Sequence, residues 1–406
     1  MIIKTKKKKV KGEINLPASK SISNRVLIIH GIANSFEPIN NLSNSDDTKT
    51  MFNVLFSNDN KFDIKDAGTC MRFLTAYLSG IIGKWEITGS ERMQQRPIGE
   101  LVDALNSAGA QIEYLEKEGY PPLKILGSNL TNNTIKLKGS ISSQFISALL
   151  LIAPRFKTGL TIEVEGNITS RSYIDMTLSI MAEYGLKSSF VNNTIKVEAG
   201  NYETMEYTVE SDWSAASYMY ECVALAEKGK MKLNGLKKTS FQGDIKQVEL
   251  WEKLGVKTNF TRKGVFIAKS DVLIENLNHD FKDMPDLAQT FAVTCCALNI
   301  AFSFTGLETL KIKETDRIEA LKIELAKLGY TLNDDKAGEL SWDGTRGKIA
   351  SSIVIDPYGD HRMAMSFAPL ALVRENILIN NFEVVSKSYP NFWEDLKSLN
   401  FSCEEF

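Results

Sequence analysis

The sequence predicts an α/β protein of two domains, on three observations. Its 406 residues exceed what one hydrophobic core ordinarily organises, so two domains of about 200 residues each are expected. An apolar helix-like run, a Gly or Asn stop and a short alternating strand recur six times along the chain. Short runs rich in β-branched or aromatic residues end in glycine, as strands that close in turns do.

The six copies are MFNVLFSNDNKFDI, LVDALNSAGAQIEY, LSIMAEYGLKSSF, VELWEKLGVKTNF, IEALKIELAKLGYTL and NFWEDLKSLNFSC, starting near 51, 101, 178, 248, 318 and 391, the first and last degenerate. Spacings of about 50 to 77 residues are too long and uneven for a solenoid and group the copies three and three. WEITG (85–89), TIEVEG (161–166), MKLNG (231–235) and AFSFTG (301–306) are further expected strands. No Pro-rich or Ser-rich linker separates the halves, so tight crossings join them, one of them at TVESDWS (208–214).

With 48 Lys+Arg against 50 Asp+Glu, the chain lacks the charge for a long nucleic-acid footprint, and any basic site must be local. Residues 6–9 form a basic run that is read as solvated. Five scattered cysteines without CxxC spacing fit a reducing cytoplasm, and MIIKTKKKKV has no apolar stretch of signal-peptide length. No segment approaches the roughly 20 apolar residues of a membrane span. A cytoplasmic, soluble protein without membrane or nucleic-acid partners is expected.

Four groups of residues carry chemistry. In Pro17-Ala18-Ser19-Lys20-Ser21-Ile22-Ser23-Asn24-Arg25, small hydroxylated residues at a helix start expose backbone N–H groups beside Lys20 and Arg25, which suits phosphate or carboxylate; an ordinary Ser-capped helix with surface cations reads the same way. Asp66-Ala67-Gly68-Thr69-Cys70-Met71-Arg72 and Glu91-Arg92-Met93-Gln94-Gln95-Arg96-Pro97-Ile98 add a glycine open to close approach and three guanidiniums, each of which alone is more often a salt-bridge residue. Ser142-Ser143-Gln144 and Ser170-Arg171-Ser172-Tyr173 supply neutral donors of the kind that orient a polyhydroxylated ring. In the second half, Asp283-Met284-Pro285-Asp286, Lys313-Glu314-Thr315-Asp316-Arg317 and Asp360-His361-Arg362-Met363-Ala364-Met365 alternate acids and bases beside apolar runs, which places the charges at helix starts. If residues 313–317 are helical, Lys313 and Arg317 share a face. His30, His279 and His361 make no metal-ligand pattern, and no nucleophile elbow, P-loop or dinucleotide fingerprint is present.

Taken in order, KSxSNR, AGTxMR, RMxxRPI, SSQF, DMPD, KETDR, DHRMAM and a late K-S-Y-P closely resemble the EPSP synthase family of enolpyruvyl transferases, from Lys20 to about Pro390. The sister family acting on UDP-N-acetylglucosamine shares the fold but lacks the KSxSNR and DHRMAM combination, and a non-catalytic anion-binding relative would show a broken acid/base set. The resemblance implies two domains, each of three α/β units with helices inside and sheets outside, closing over a cleft: residues 1–18 with 213–406, and residues 19–212. It implies shikimate 3-phosphate on Lys20, Ser21, Arg25, Ser142, Ser143, Gln144, Ser170, Tyr173, Asp286 and Lys313, with Arg25, Ser142 and Ser170 at the phosphate. Phosphoenolpyruvate is implied on Lys20, Gly68, Arg96, Gln144, Arg317, Arg362 and Lys387.

The reaction so implied is addition then elimination in the shikimate pathway of aromatic amino-acid synthesis, without metal or cofactor, by a monomer. Lys20, Asp286 and Glu314 are the proton carriers, Asp286 first for the hydroxyl proton. Three departures from the family's common residues stand out: Asp66 for Asn, Thr309 for Asn and Phe73 for Pro. Phe73 leaves sensitivity to glyphosate open, although Gly68 is the sensitive-type residue.

Overall fold

The computed structural model describes residues 1–6, 8–139 and 142–405. Lys7 of the basic run lies outside the described residues; Lys6, Lys8 and Lys9 are exposed. The chain divides into two compact units, Ser19–Val209 and Met1–Ala18 with Glu210–Phe406. Residues 210–212, which sequence analysis grouped with the middle segment, fall in the second unit because their bonds lie there. The Asp212 N–H donates to Pro17 O at 2.8 Å, Ser211 bridges Ala18, and the Glu210 carboxylate accepts from Gln242 Nε2 at 2.8 Å.

The middle unit holds α1 (Lys20–Ala33), α2 (Asp46–Leu55), α3 (Gly68–Ser79), the single turn α4 (Glu91–Gln94), α5 (Gly99–Ser107), α6 (Ser143–Leu151) and α7 (Arg171–Glu183). Of these, α3 leaves only Thr69 and Tyr77 not fully buried, and α6 only Gln144. Helices apolar all round belong inside, whereas α2, α5 and α7 keep polar faces outward. The other unit repeats the scheme with buried α8 (Trp213–Leu225), α10 (Ala288–Leu298) and α12 (His361–Phe367), and amphipathic α9 (Gln247–Lys253), α11 (Arg317–Lys327) and α13 (Phe392–Ser398).

Among the described residues each unit carries three sheets, and every sheet contains one parallel pair. In four of them a buried helix makes the crossover. Lys61–Asp63 leads through α3 to Gly83–Thr88, Thr134–Lys138 through α6 to Leu160–Glu165, Asn276–Asp280 through α10 to Ala301–Thr305, and Val354–Ile355 through α12 to Ile377–Ile379. Strands such as Thr134–Lys138 alternate exposed and buried residues, so each sheet covers buried helices with one face and meets water with the other. A strand running into a buried helix brings that helix's N-terminus to the strand's C-terminal end, where ligands of α/β folds ordinarily sit.

The expected helices at 101, 178, 248, 318 and 391 correspond to α5, α7, α9, α11 and α13, and the first copy to α2. The strand expected after LAKLG does not form a ladder. Tyr330 and Asn333 make only isolated bridges, to Arg346 and Ser341.

Candidate active site

In the middle unit the candidate residues gather at the N-terminal turns of buried helices. Ser19 caps α1 by accepting from Ile22 N, which sets Lys20 and Ser21 in the first turn. Lys20 Nζ lies 2.9 Å from Asp47 Oδ2, an acid that no motif had marked. One turn on, Arg25 is 2% exposed and donates from Nε to Thr177 Oγ1 at 2.7 Å, and from its two terminal nitrogens to Ser21 O, Ser147 Oγ and Tyr173 O at 2.8, 3.2 and 3.3 Å. Its guanidinium carbon stands 5.3 Å from the centre of the Phe73 ring. Every one of these partners is uncharged. Burial pulls the group down to about 10, which still leaves it protonated at neutral pH.

Gly68 opens α3 against Arg96: a Cβ at Gly68 would sit 2.6 Å from one terminal nitrogen of that guanidinium and 2.9 Å from the other. Arg72 donates to Gly68 O at 3.2 Å and to Pro97 O at 3.0 Å, so it ties the α3 start to the Arg96 loop rather than facing a ligand. Gln144, at the start of α6, reaches Thr69 Oγ1 at 3.4 Å, and Ser142 caps the same helix by accepting from Gln144 N. Ser143 is buried in its first turn. Ser170 precedes α7 with φ 54°, a left-handed conformation that costs a non-glycine residue on the order of 1 kcal/mol, and its carbonyl accepts from Tyr173 N. Lys20, Ser21, Arg25, Gly68, Arg96, Ser142, Ser143, Gln144, Ser170 and Tyr173 thus all belong to the caps or first two turns of α1, α3, α6 and α7 or the loop clasped to α3.

The other unit builds an ion network. Arg317, the first residue of α11, bonds three carboxylates: Asp360 Oδ2 from Nε at 2.6 Å, Asp286 Oδ1 at 2.8 Å and Glu314 Oε2 at 2.9 Å. Asp286 gives its second oxygen to Arg362 at 2.8 Å, and Lys387 Nζ lies 3.9 Å from Glu314 Oε1. Asp360 caps α12 by accepting from Arg362 N, so one carboxylate sets both a helix start and Arg317. Burial alone would raise the Asp286 carboxyl, but Arg362, Lys313 and Arg317 outweigh it and hold it well below the usual carboxylate range. Burial opposes the Arg317 charge, yet Asp360, Glu314 and Asp286 more than restore it.

Lys313 and Arg317 do not share a helix face. Asp316 caps α11 through Ile318 N and Glu319 N, so the helix begins only at Arg317, and Lys313 is in extended backbone. What unites the two cations is Asp286. The Asp66 departure leads to an exposed hydrogen bond from Ser90, and Phe73 leaves α3 unbroken from Gly68 to Ser79. Among the described residues no helix is long and apolar enough to cross a membrane.

The family model of EPSP synthase (3-phosphoshikimate 1-carboxyvinyltransferase) matches residues 4–57 and 55–396. The chain belongs to the EPSP synthase family. It is 51% identical over 396 residues to a 3-phosphoshikimate 1-carboxyvinyltransferase of Bacteroides fragilis (strain YCH46), with 97% of each chain covered. Against the 3-phosphoshikimate 1-carboxyvinyltransferase of Sulfurovum sp. (strain NBC37-1) it is 37% identical over 420 residues, covering 96% of this chain and 97% of the relative. The fold is that of EPSP synthase from Acinetobacter baumannii, with a TM-score of 0.77 at 20% identity over all of both chains.

Proposed function

We propose that the protein transfers the enolpyruvyl group of phosphoenolpyruvate to the 5-hydroxyl of shikimate 3-phosphate, releasing phosphate. The observation that carries the reading is Asp286, an ionised carboxylate gripped by two guanidiniums, so that a proton acceptor and anion-binding cations are one network. The hydroxyl oxygen attacks C2 of phosphoenolpyruvate as C3 gains a proton; C3 then gives that proton up as the C2–O bond to phosphate breaks.

Arg25, with Ser21, Ser142, Ser143, Ser170, Tyr173 and Lys313, serves shikimate 3-phosphate; Gly68, Arg96, Arg317, Arg362 and Lys387 serve phosphoenolpyruvate; Lys20 and Gln144 serve both. Tied to Arg317 and Arg362, Asp286 is a weak base. The anionic groups of phosphoenolpyruvate compete for those same cations, and as the guanidiniums turn to the substrate the carboxylate recovers the basicity that proton transfer needs. Glu314 and Lys20 are the other proton carriers. The enzyme acts as a monomer in the cytoplasm, a compartment that suits its five unpaired cysteines.

The test is phosphate release by purified protein from phosphoenolpyruvate with shikimate 3-phosphate, and separately with UDP-N-acetylglucosamine, the product identified by NMR. Release with shikimate 3-phosphate alone is expected. Release only with the sugar nucleotide would move the protein to the sister activity, and none with either would leave a binding protein.

A further inference from the structure

Glu324 is fully buried, and nothing in the reaction above uses it. It lies about two turns along α11 from Arg317, on the helix's buried side. Its Oε1 accepts from Tyr358 Oη at 2.7 Å and from Lys327 Nζ at 2.8 Å; its Oε2 accepts from Lys327 Nζ at 2.7 Å and from Asp356 N at 3.3 Å. Lys327 Nζ also donates to Val354 O at 2.9 Å, in the strand that precedes Asp356.

What Glu324 holds is therefore the turn between that strand and α12. Within the turn Asp356 Oδ1 accepts from Tyr358 N at 2.8 Å, and Pro357 O accepts from Asp360 N at 2.8 Å. Tyr358 and Gly359 both adopt left-handed backbone, with φ 52° and 69°. Glycine takes that conformation freely, but a tyrosine keeps it only where its surroundings impose it. The Tyr358 hydroxyl bonded to Glu324, and its N–H bonded to Asp356, are such constraints. Asp360 follows at once, capping α12 through Arg362 N and accepting from Arg317 Nε. Helix α11 thus grips this turn twice, with Arg317 on Asp360 and with Glu324 on Asp356 and Tyr358.

We propose that Glu324 and Tyr358 are positioning residues that fix Asp360, and through it Arg317 and Arg362, in the arrangement that receives phosphoenolpyruvate. The proposal rests on the assignment of both arginines to phosphoenolpyruvate made above. Once the hydroxyl bond is lost, Tyr358 is free to leave its left-handed conformation, and the carboxylate two residues on moves with it. Small displacements of a group that orients a substrate carry large losses in rate. Shikimate 3-phosphate, assigned chiefly to residues of the middle unit, has no group on this turn.

The experiment measures phosphate release, with each substrate varied in turn, together with the melting temperature, in the unaltered protein, Tyr358→Phe, Tyr358→Gly and Glu324→Gln. Tyr358→Phe keeps the ring and removes only the hydroxyl. It is expected to lower kcat/KM for phosphoenolpyruvate about tenfold, with KM for shikimate 3-phosphate within about twofold of the unaltered value. Tyr358→Gly loses the same hydroxyl but relieves the backbone, so it should show the same loss in kcat/KM at a melting temperature no lower than that of Tyr358→Phe. Glu324→Gln also takes the counter-charge from Lys327, and its loss should be larger with the same sparing of shikimate 3-phosphate. An unchanged kcat/KM in Tyr358→Phe, an equal rise in both KM values, or losses that merely track melting temperature overturn the proposal and leave the pair structural. If Glu324→Gln does not fold, the two Tyr358 variants decide. No phosphate release by the unaltered protein overturns the proposed function along with it, whereas activity with unmoved kcat/KM in the variants overturns this inference alone.

Discussion

Arg25 and Arg317 are buried to nearly the same degree, 2% and 1% exposed, yet they are held in opposite ways. Arg25 rests on two hydroxyls and two backbone carbonyls, all neutral, so its charge is left for something else to neutralise. Arg317 is surrounded by three carboxylates and brings no surplus charge with it. A buried cation fixed by neutral groups is stable only if it keeps its hydrogen bonds, and it offers a standing site for a dianion. A cation locked to acids instead sets how tightly those acids hold protons. On the function proposed above, Arg25 of the middle unit holds an anion, and the Arg317 network of the other exchanges protons.

The largest effect should come from the exchanging side. Asp286→Ala is expected to cut kcat by about 100-fold or more in a phosphate-release assay, with KM for shikimate 3-phosphate changing less. Near-normal turnover would mean that Arg317 is merely structural and that the contrast with Arg25 has no chemical content. Arg25→Met should do the converse, raising KM for shikimate 3-phosphate roughly 30-fold, the loss of a charge-assisted hydrogen bond or two, while kcat falls less. A variant that lost only kcat would break the assignment of holding to the middle unit.

A smaller effect is expected of Gly68→Ala. Its methyl would collide with the Arg96 guanidinium, itself buried and clasped through Arg72, so KM for phosphoenolpyruvate should rise about tenfold with KM for shikimate 3-phosphate little changed. Equal change in both would show that the α3 start serves no single substrate.

The smallest sharpens what the arginines do. Glu221, in α8, is as buried as Asp360 but among the described residues has no cation beside it, and burial raises its carboxyl well above the usual value where Asp286 lies well below. For Asp286 the stabilisation is present above the ordinary carboxylate value and lost as pH falls through the depressed one. For Glu221 it is present below the ordinary value and drains away as pH rises toward the raised one. Replacing Glu221 with Gln removes that drain, so the melting temperature of Glu221→Gln relative to the unaltered protein should climb by about 2–4 °C between pH 5 and 8, with turnover unchanged. A difference independent of pH would show that Glu221 is not kept neutral by its surroundings.

These contrasts mark what could be read from sequence. Helix starts were legible where a short polar residue precedes an apolar run, as at Ser19, Ser142 and Asp360, because one side-chain oxygen near one backbone N–H is a local event. The outer helices were legible from their period and their Gly or Asn stops. Partners were not. Arg25 meets Ser147 and Thr177 across more than a hundred residues, and Asp47 meets Lys20 from a segment with no pattern of its own. Arg72 looked like Arg96 in the sequence, and only its two carbonyl partners show it to be a brace. The short stretch from Lys313 to Arg317 was ambiguous because Asp316 competes as a cap, a choice between two local hydrogen-bond schemes that spacing alone does not decide.

The strand Ile2–Thr5 lies between Ile377–Ile379 and Phe401–Glu404, and Lys9–Asn15 runs parallel to Lys228–Asn234. On the ribosome this sets a timetable. The middle unit is complete in sequence once Val209 has been made and is free to fold then, whereas the first strand must wait, solvent-exposed, for some 370 residues before its first neighbour exists and longer for its second. The lysines at positions 4, 6, 8, 9 and 11 keep that waiting edge charged, and so discourage it from pairing with another nascent chain in the meantime.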